Sequence, residues 1–294
     1  MCQCRGFSKS KKSSKNYILH AQSKQFFWEG QGQLSIKTFA NGKAFYKTNR
    51  GFYSVEENRY LLLNEGSYTI SIDEKTEVES FCIFFRDGFA QEVLPSILKS
   101  TNSILSDPYF DMDTVEFYEK TYQITPTLML QLEKFQRHYD LFHNDFLWFD
   151  EQFHNLMQIM LFAHFDTLSK MESLNTIKSS TRDELFRRVS VAHDFIRAYF
   201  NHHIKLHDIS SVACLSQNHL LRSYKKIYGK TPHQHVSELR ILKAKKLLED
   251  MELSMTDITY EIGFNNPASF SKIFKASTGL SPLQYRKKVI LDKN

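Results

Sequence analysis

Glycine and proline are scarce in this chain, 10 and 6 among 294 residues, which argues against long flexible linkers. Cysteine is scarcer still. Cys2 and Cys4 lie in a polar tail, Cys82 in an apolar run and Cys214 in a helical stretch. No C-x-x-C pair or histidine partner stands at zinc spacing, so no disulfide framework or metal site is read. Reduced thiols in a cytoplasm are expected. No run approaches the roughly 18 apolar residues that a bilayer-spanning helix needs. The basic N-terminus lacks the apolar core of an export signal. G-x-S-x-G, H-E-x-x-H and phosphate-binding glycine loops are absent too, so no residue reads as catalytic and no cofactor is implied.

Aromatic residues are plentiful instead, with 25 Phe and 14 Tyr, and the 41% apolar and 24% charged fractions are globular values. The length predicts two domains. Charge divides unevenly between them. Residues 1–16 hold five bases and no acid, residues 17–182 hold 15 Lys+Arg against 22 Asp+Glu, and residues 183–294 hold 18 against 11. An acidic body joined to a basic C-terminal third is what a chain shows when one domain meets a polyanion; chance variation between two surfaces is the alternative.

The basic third contains a degenerate repeat. Residues 208–236 and 257–286 align with Asp208 on Asp257, Ile209 on Ile258, Ala213 on Ile262 and Leu215 on Phe264. One extra residue in the second copy then shifts the register. Beyond it Leu220 meets Phe270, Arg222 meets Lys272, Tyr224 meets Phe274, Gly229 meets Gly279 and Pro232 meets Pro282. Each copy predicts a short helix, a tight turn and a longer helix. Asp208, and Thr256 or Asp257, stand at first-turn or N-cap positions, and Ser216, and Asn265 or Asn266, can cap the second helix. Gly263 suits a positive φ in the second turn, where the first copy has Cys214. Gly229 and Gly279 stop the longer helices, and Thr231-Pro232 and Ser281-Pro282 start the next ones. Between the copies a helix over 232–250 is expected to bury Val236, Leu239, Leu242 and Leu247. Val189, Ala192, Phe195, Ile196 and Tyr199 mark a leading helix. This is the layout of two helix-turn-helix units, whose recognition helices could enter successive major-groove segments roughly 34 Å apart.

Gly263-Phe264, Ser269-Phe270-Ser271, Phe274-Lys275, Gly279-Leu280-Ser281-Pro282 and Tyr285-Arg286, with Arg240, Ala244, Leu247 and Leu248, carry a resemblance. On these motifs, segment 185–290 resembles the DNA-binding domain of the AraC/XylS family of bacterial transcription regulators. The resemblance implies a seven-helix domain, sequence-specific binding to double-stranded promoter DNA, a bacterial cytoplasmic setting and, for an activator, RNA polymerase as a partner. It further implies base contacts from Gln217, Asn218, Leu221 and Arg222 in the first unit and from Pro267, Ala268, Ser269 and Lys272 in the second. Arg222 suits guanine, Asn218 or Gln217 adenine and Ala268 a thymine methyl; Leu221 departs from the small polar residue usual there. Lys225, Lys226, Lys230, Lys275, Arg286, Lys287 and Lys288 read as phosphate neutralisers. His202, His203 and His207, or His233 and His235, lack a carboxylate or thiolate set for metal and read as surface or DNA-facing.

The N-terminal part reads differently. Residues 33–86 alternate at period two, with Leu34 and Ile36, then Tyr68, Ile70 and Ile72; Asn64-Glu65-Gly66 is a turn and 81–85 a core strand. The fold class is therefore α+β in two domains. A β-rich, cupin-like sheet or barrel with strands to about residue 87, then helices, precedes an all-α domain with two helix-turn-helix units. The parts are a disordered basic tail (1–16), a sensor domain (17–172), a polar linker (173–184) and the DNA-binding domain (185–294). Residues 33–86 contain no histidine, unlike metal-binding cupins. Phe39, Phe45, Tyr46, Phe52, Tyr53, Tyr60 and Tyr68 line a small-molecule effector pocket or are simply core. Helical patterns at 126–139 and 149–168 form a homodimer interface (within 126–172) or pack inside the domain. An effector-independent or structural DNA-binding protein is the competing function.

Overall fold

The alternation at Tyr68, Ile70 and Ile72 runs on into the apolar stretch 81–85. In the computed structural model, which describes residues 15–98, 115–141, 145–172 and 179–293, these segments join into one 19-residue strand, β6 (Gly66–Phe84). Strand β1 (Tyr17–Gly32) pairs antiparallel along one edge of β6 with a bulge at Ser23/Gln25. The other edge is shared by β2 (Ser35–Ala40) and β3 (Lys43–Thr48). Strand β4 (Phe52–Glu56) pairs with β3, β5 (Arg59–Leu63) with β2, and β7 (Thr121–Gln123) with β5. The seven strands curl into a nearly closed barrel-like sheet.

Two faces of this sheet carry two cores, as the period-two pleat requires. Phe39, Tyr46, Tyr53, Leu61, Tyr68 and Phe84 pack on one face, inside the barrel. On the other, Ile36, Leu62, Phe81 and Ile83 pack against α1 (Phe89–Leu98), α2 (Pro126–Leu141) and α3 (Phe146–Glu172). The aromatics expected as core or pocket divide accordingly. Phe39, Tyr46, Tyr53 and Tyr68 are buried within the barrel, Tyr60 is buried on the helix side, and half-buried Phe45 and Phe52 stack at 5.6 Å.

Several expectations change here. Strands begin at Tyr17, not near residue 33, because β1 is a long, largely exposed strand whose polar residues give no buried alternation. Strand β7 follows the first helix, so the strands do not end near residue 87. Helices α2 and α3 spend the apolar faces read at 126–168 within the unit: Leu128, Leu132, Phe135, Phe153, Leu156 and Met160 are all buried in its core. Outward-facing residues on these helices include Leu130 and Phe162. Residues 1–14 of the expected tail and 173–178 of the expected linker lie outside the described residues, while 179–184 are already helical.

The chain divides into two compact units between Asn175 and Thr176. The second has seven helices among its described residues. They are α4 (Ser179–Tyr199), α5 (Leu206–Val212), α6 (Gln217–Tyr228), α7 (Pro232–Leu247), α8 (Met255–Glu261), α9 (Pro267–Thr278) and α10 (Pro282–Lys293). Helices α4 to α6 close one core around Val189, Ile196, Leu220 and Tyr224; α8 to α10 close another around Ile258, Ile262, Phe270 and Phe274. Helix α7 serves both. It gives Val236 and Leu239 to the first core and Ile241 and Ala244 to the second, joined there by Leu248 just past its end. The single stripe expected on it is therefore wrong: Leu242 is 53% exposed, because a helix clasped from two sides has no one apolar face.

A buried histidine gives the first unit an acid limit. His164 packs edge-on to Phe117 at 5.3 Å, its Nδ1 has no partner among the described residues, and burial lowers its pKa from 6.5 to about 4. Between those values the unfolded chain binds the extra proton, so stability falls as pH drops through that window. Trp28 and Trp148, the only tryptophans, both lie in this unit and report it alone. Urea unfolding followed by tryptophan fluorescence should lose stability from pH 6.5 to 4, and His164→Leu should remove up to about 3 kcal/mol of that loss. Parallel pH profiles for the two proteins would overturn the assignment.

Candidate nucleic-acid interface

The repeat read from sequence is a repeat in space. Helices α5 and α8 each have seven residues and α6 and α9 each have twelve, with a turn of four residues (213–216) in the first copy and five (262–266) in the second. Capping chemistry sets these lengths. Ser216 Oγ accepts the His219 N–H at 3.3 Å, and Asn266 Oδ1 accepts the Ser269 N–H at 2.8 Å, which starts both longer helices. Gly229 (φ 72°) and Gly279 (φ 79°) end them in the left-handed region. Thr231 with Gln234, and Ser281 with Gln284, form reciprocal capping boxes that start α7 and α10. Asp208 and Asp257 act at the third position of the short helices, receiving the backbone N–H of Lys205 and of Ser254.

Both tight turns require a left-handed residue. The first uses Cys214 at φ 51°, its carbonyl held by Arg188 Nη1 at 2.8 Å; the second uses Gly263 at φ 82°. Glycine is needed at 263 for a further reason. A Cβ there would lie 2.5 Å from the Asn201 carbonyl oxygen, just past the end of α4. Beside this contact Arg240 of α7 donates from Nε to the Phe200 carbonyl (2.7 Å) and from Nη2 to the His202 carbonyl (2.9 Å), with its guanidinium 5.2 Å over the Phe264 ring. The leading helix, the tie helix and the second turn thus meet at one guanidinium.

Each longer helix is fixed by its inner face and open on its outer one. Leu220 and Tyr224 are buried in α6, and Phe270 and Phe274 in α9. The Tyr224 hydroxyl bridges His193 Nδ1 of α4 (3.1 Å) and His235 Nδ1 of α7 (2.6 Å). A hydroxyl has one proton to give, so at least one of the two imidazoles donates to its oxygen. His235 is therefore a buried packing residue and not a surface or DNA-facing one, while His202, His203, His207 and His233 are exposed.

Of the residues implied as base contacts, Gln217, Asn218, Arg222, Pro267, Ala268, Ser269 and Lys272 are exposed, and Leu221 is half-buried. Lys225, Lys226, Lys275, Lys287 and Lys288 are also exposed. Two of the implied phosphate residues are engaged inside the domain. Lys230 pairs with Glu238, and half-buried Arg286 donates to the carbonyls of Leu248 (3.3 Å) and Leu253 (2.8 Å), tying α10 to the end of α7. The sequence marks Arg240 and Arg286 through the resemblance alone. Nothing in their local pattern announces that each would satisfy carbonyls at the end of a preceding helix. Among the described residues no three His, Cys, Asp or Glu side chains gather as a metal site, and no helix is long and apolar enough to cross a membrane.

Residues 209–288 match the helix-turn-helix domain family. The MmsAB operon regulatory protein of Pseudomonas aeruginosa is 32% identical over 97 residues, 33% of this chain and 32% of that protein. A probable transcriptional regulator, LumQ of Photobacterium leiognathi, is 25% identical over 197 residues, 66% of this chain and 68% of that one. Among solved structures, the C-terminal domain of AraT, a response regulator from Geobacillus stearothermophilus, aligns with a TM-score of 0.33 and 28% identity over 34% of this chain and 84% of that one. The similarity to the MmsAB operon regulatory protein and to two HTH-type transcriptional regulators of Bacillus subtilis spans about a third of each relative.

The junction makes a prediction about two glycines. Gly229→Ala meets no atom within 4 Å and should cost only the left-handed backbone, about 1 kcal/mol. Gly263→Ala adds a collision with a backbone carbonyl and should cost at least ~1 kcal/mol more. Thermal unfolding followed by helical circular dichroism, with tryptophan fluorescence as the unchanged control, measures the difference. Equal losses would show that the approach to Asn201 is not restrictive.

Proposed function

We propose that the whole chain is a sequence-specific transcription regulator of the AraC type that binds double-stranded promoter DNA, a reading supported by the match of residues 209–288 to the helix-turn-helix domain family. The observation that carries the reading is the pair of twelve-residue helices, each anchored on its inner face and exposed on its outer one, on a single tie helix. In this reading α6 and α9 are the recognition helices. Arg222 makes the bidentate contact to guanine, and Asn218 or Gln217 contacts adenine. Pro267, Ala268 and Ser269 bring small surfaces suited to thymine methyl contact and close backbone approach, and Lys272 reaches a guanine edge or a phosphate. Leu221 contributes at most an apolar edge.

Lys225, Lys226, Lys275, Lys287 and Lys288 neutralise phosphates, which adds affinity without sequence choice. Lys230 joins them only by leaving Glu238, and Arg286 is better assigned to holding α10. The first unit controls the second through a small-molecule effector, through dimerisation on outward α2 and α3 residues, or through both. Output as an activator would bring RNA polymerase as a further partner. In this reading the protein acts in the cytoplasm, where promoter DNA lies.

Selection of bound duplexes from a random pool at physiological salt tests the reading directly. A motif should emerge, and Arg222→Ala should erase about 1–3 kcal/mol of preference at one base position. Lys226→Ala should weaken every sequence alike and lower the salt slope by about one. A wild-type protein with no preference among duplexes rejects specific regulation in favour of structural DNA binding, and uniform losses for Arg222→Ala reject its role.

A further inference from the structure

The first helix-turn-helix unit closes on a group of polar rings that the second lacks. Tyr224, fully buried on α6, carries the hydroxyl that meets His193 Nδ1 of α4 and His235 Nδ1 of α7. The two imidazole centres lie 4.7 Å apart, and His193 stacks on Tyr228 of α6 at 4.1 Å and 13°. Three helices therefore meet at one polar contact behind α6. Aligning Gly229 on Gly279 puts Tyr224 on Phe274, Tyr228 on Thr278 and His235 on Tyr285. There the contact is apolar. Phe274 and Tyr285 pack edge-on at 5.4 Å, and Thr278 Oγ1 donates to the Phe274 carbonyl of its own helix. His235 is the last histidine of the chain, so the second head contains none.

A proton added to this group has a poor place to go. His235 is buried and His193 half-buried. Around the hydroxyl stand the charges of Asp194 and Arg197 on α4 and of Glu238 on α7, with the Tyr228 phenol on α6. Asp194 and Arg197 oppose each other in sign, and Glu238 pairs with Lys230. An imidazolium here adds a cation to charges that already balance, in a place largely closed to water. Burial, then Tyr228 and Asp194, push the Tyr224 pKa up, so the hydroxyl keeps its proton. A charged imidazole is a donor at both nitrogens and cannot accept that proton, and two charged rings at this separation repel. With α6 open, the imidazoles return to water and bind a proton more tightly than in the closed state. The open population therefore grows as pH falls through the ordinary histidine range, about 6.5.

We propose that neutral His193 and His235 are positioning residues for the first recognition helix, and that protons in the histidine range release α6 while α9 stays seated. The proton is then a ligand that turns a two-headed reader of DNA into a one-headed one. The DNA consequence rests on the regulatory reading above; the acid-sensitive seating of α6 does not. Exposed histidines, His207, His219 and His233 among them, act in the opposite direction, since their protonation adds positive charge and tightens binding to any duplex.

Amide hydrogen exchange of the full chain without DNA, resolved by peptide and corrected for the intrinsic pH dependence of exchange, tests the seating. From about pH 8 to about pH 5.5, opening of α6 should rise below 6.5 by up to about tenfold per pH unit for each proton taken up, while opening of α9 stays level. Peptides of the first unit report the separate loss at His164. His193→Asn with His235→Asn keeps a neutral polar atom near each Nδ1 position and should flatten the α6 profile. Tyr224→Phe with His235→Tyr installs the second head's own pair and should reduce its slope. Equal profiles for α6 and α9 in the wild-type chain, or an undiminished α6 slope in whichever variant folds, would overturn the proposal. Duplexes selected from the random pool at about pH 8 and measured again at about pH 6 carry the functional arm. Preference should fade at the base positions that Arg222→Ala affects and persist at those that Lys272→Ala affects. A chain that selects no motif yet shows the α6 profile rejects the regulatory reading and keeps the acid-sensitive seating. A motif read identically at both pH values rejects the switch and leaves the regulator standing.

Discussion

Everything in the helical unit depends on one guanidinium. The end of α4 presents the carbonyls of Phe200 and His202, which have no further helix to receive them. Arg240 satisfies both from the side, and the flat face of the same group covers Phe264 of the second turn. Burial lowers its pKa from the usual arginine value, yet a guanidinium so far above neutrality stays charged. Lysine has neither the fork nor the flat face to make these contacts together. The two apolar cores share no side chain, so without this polar junction and the glycine beside it only the covalent run of α7 would relate one recognition helix to the other.

The two copies are alike in frame and unlike in what they display. Length, caps and stops agree between α6 and α9, yet the first presents the amides of Gln217 and Asn218 where the second presents Pro267 and Ala268, and Arg222 where the second has Lys272. Long polar side chains reach into a groove, while short ones bring the helix backbone close to it. A scaffold with two different surfaces of this kind suits an asymmetric site. The barrel shows a comparable division of labour, with one strand face given to helices and the other closed around aromatic rings and a single charge.

The helical unit was legible in the sequence because its punctuation is local. Ser216, Asn266, Gly229, Gly279 and the Thr-Pro and Ser-Pro steps act on neighbours within four residues, so their chemistry shows in the order of residues. Cys214 was legible only by alignment with Gly263, since nothing about a cysteine announces a positive φ. Tertiary demands were not legible. Helix α7 carries no single stripe because two cores claim it, and β1 carries no alternation because its side chains are mostly exposed. Lys37 stands between Ile36 and Thr38 with no local sign of its burial, which arises only when β5 and β6 close on both sides of β2.

Helix α7 has a consequence for how such a protein changes over time. A helix that completes both cores cannot be divided, so neither head forms a separable module despite the visible repeat. Substitutions on the outer faces of α6 and α9 leave the cores untouched, whereas any exchange of one whole head together with α7 would remove the tie helix's residues from the other's core. The two heads are free to diverge in what they touch and bound to agree on where they stand.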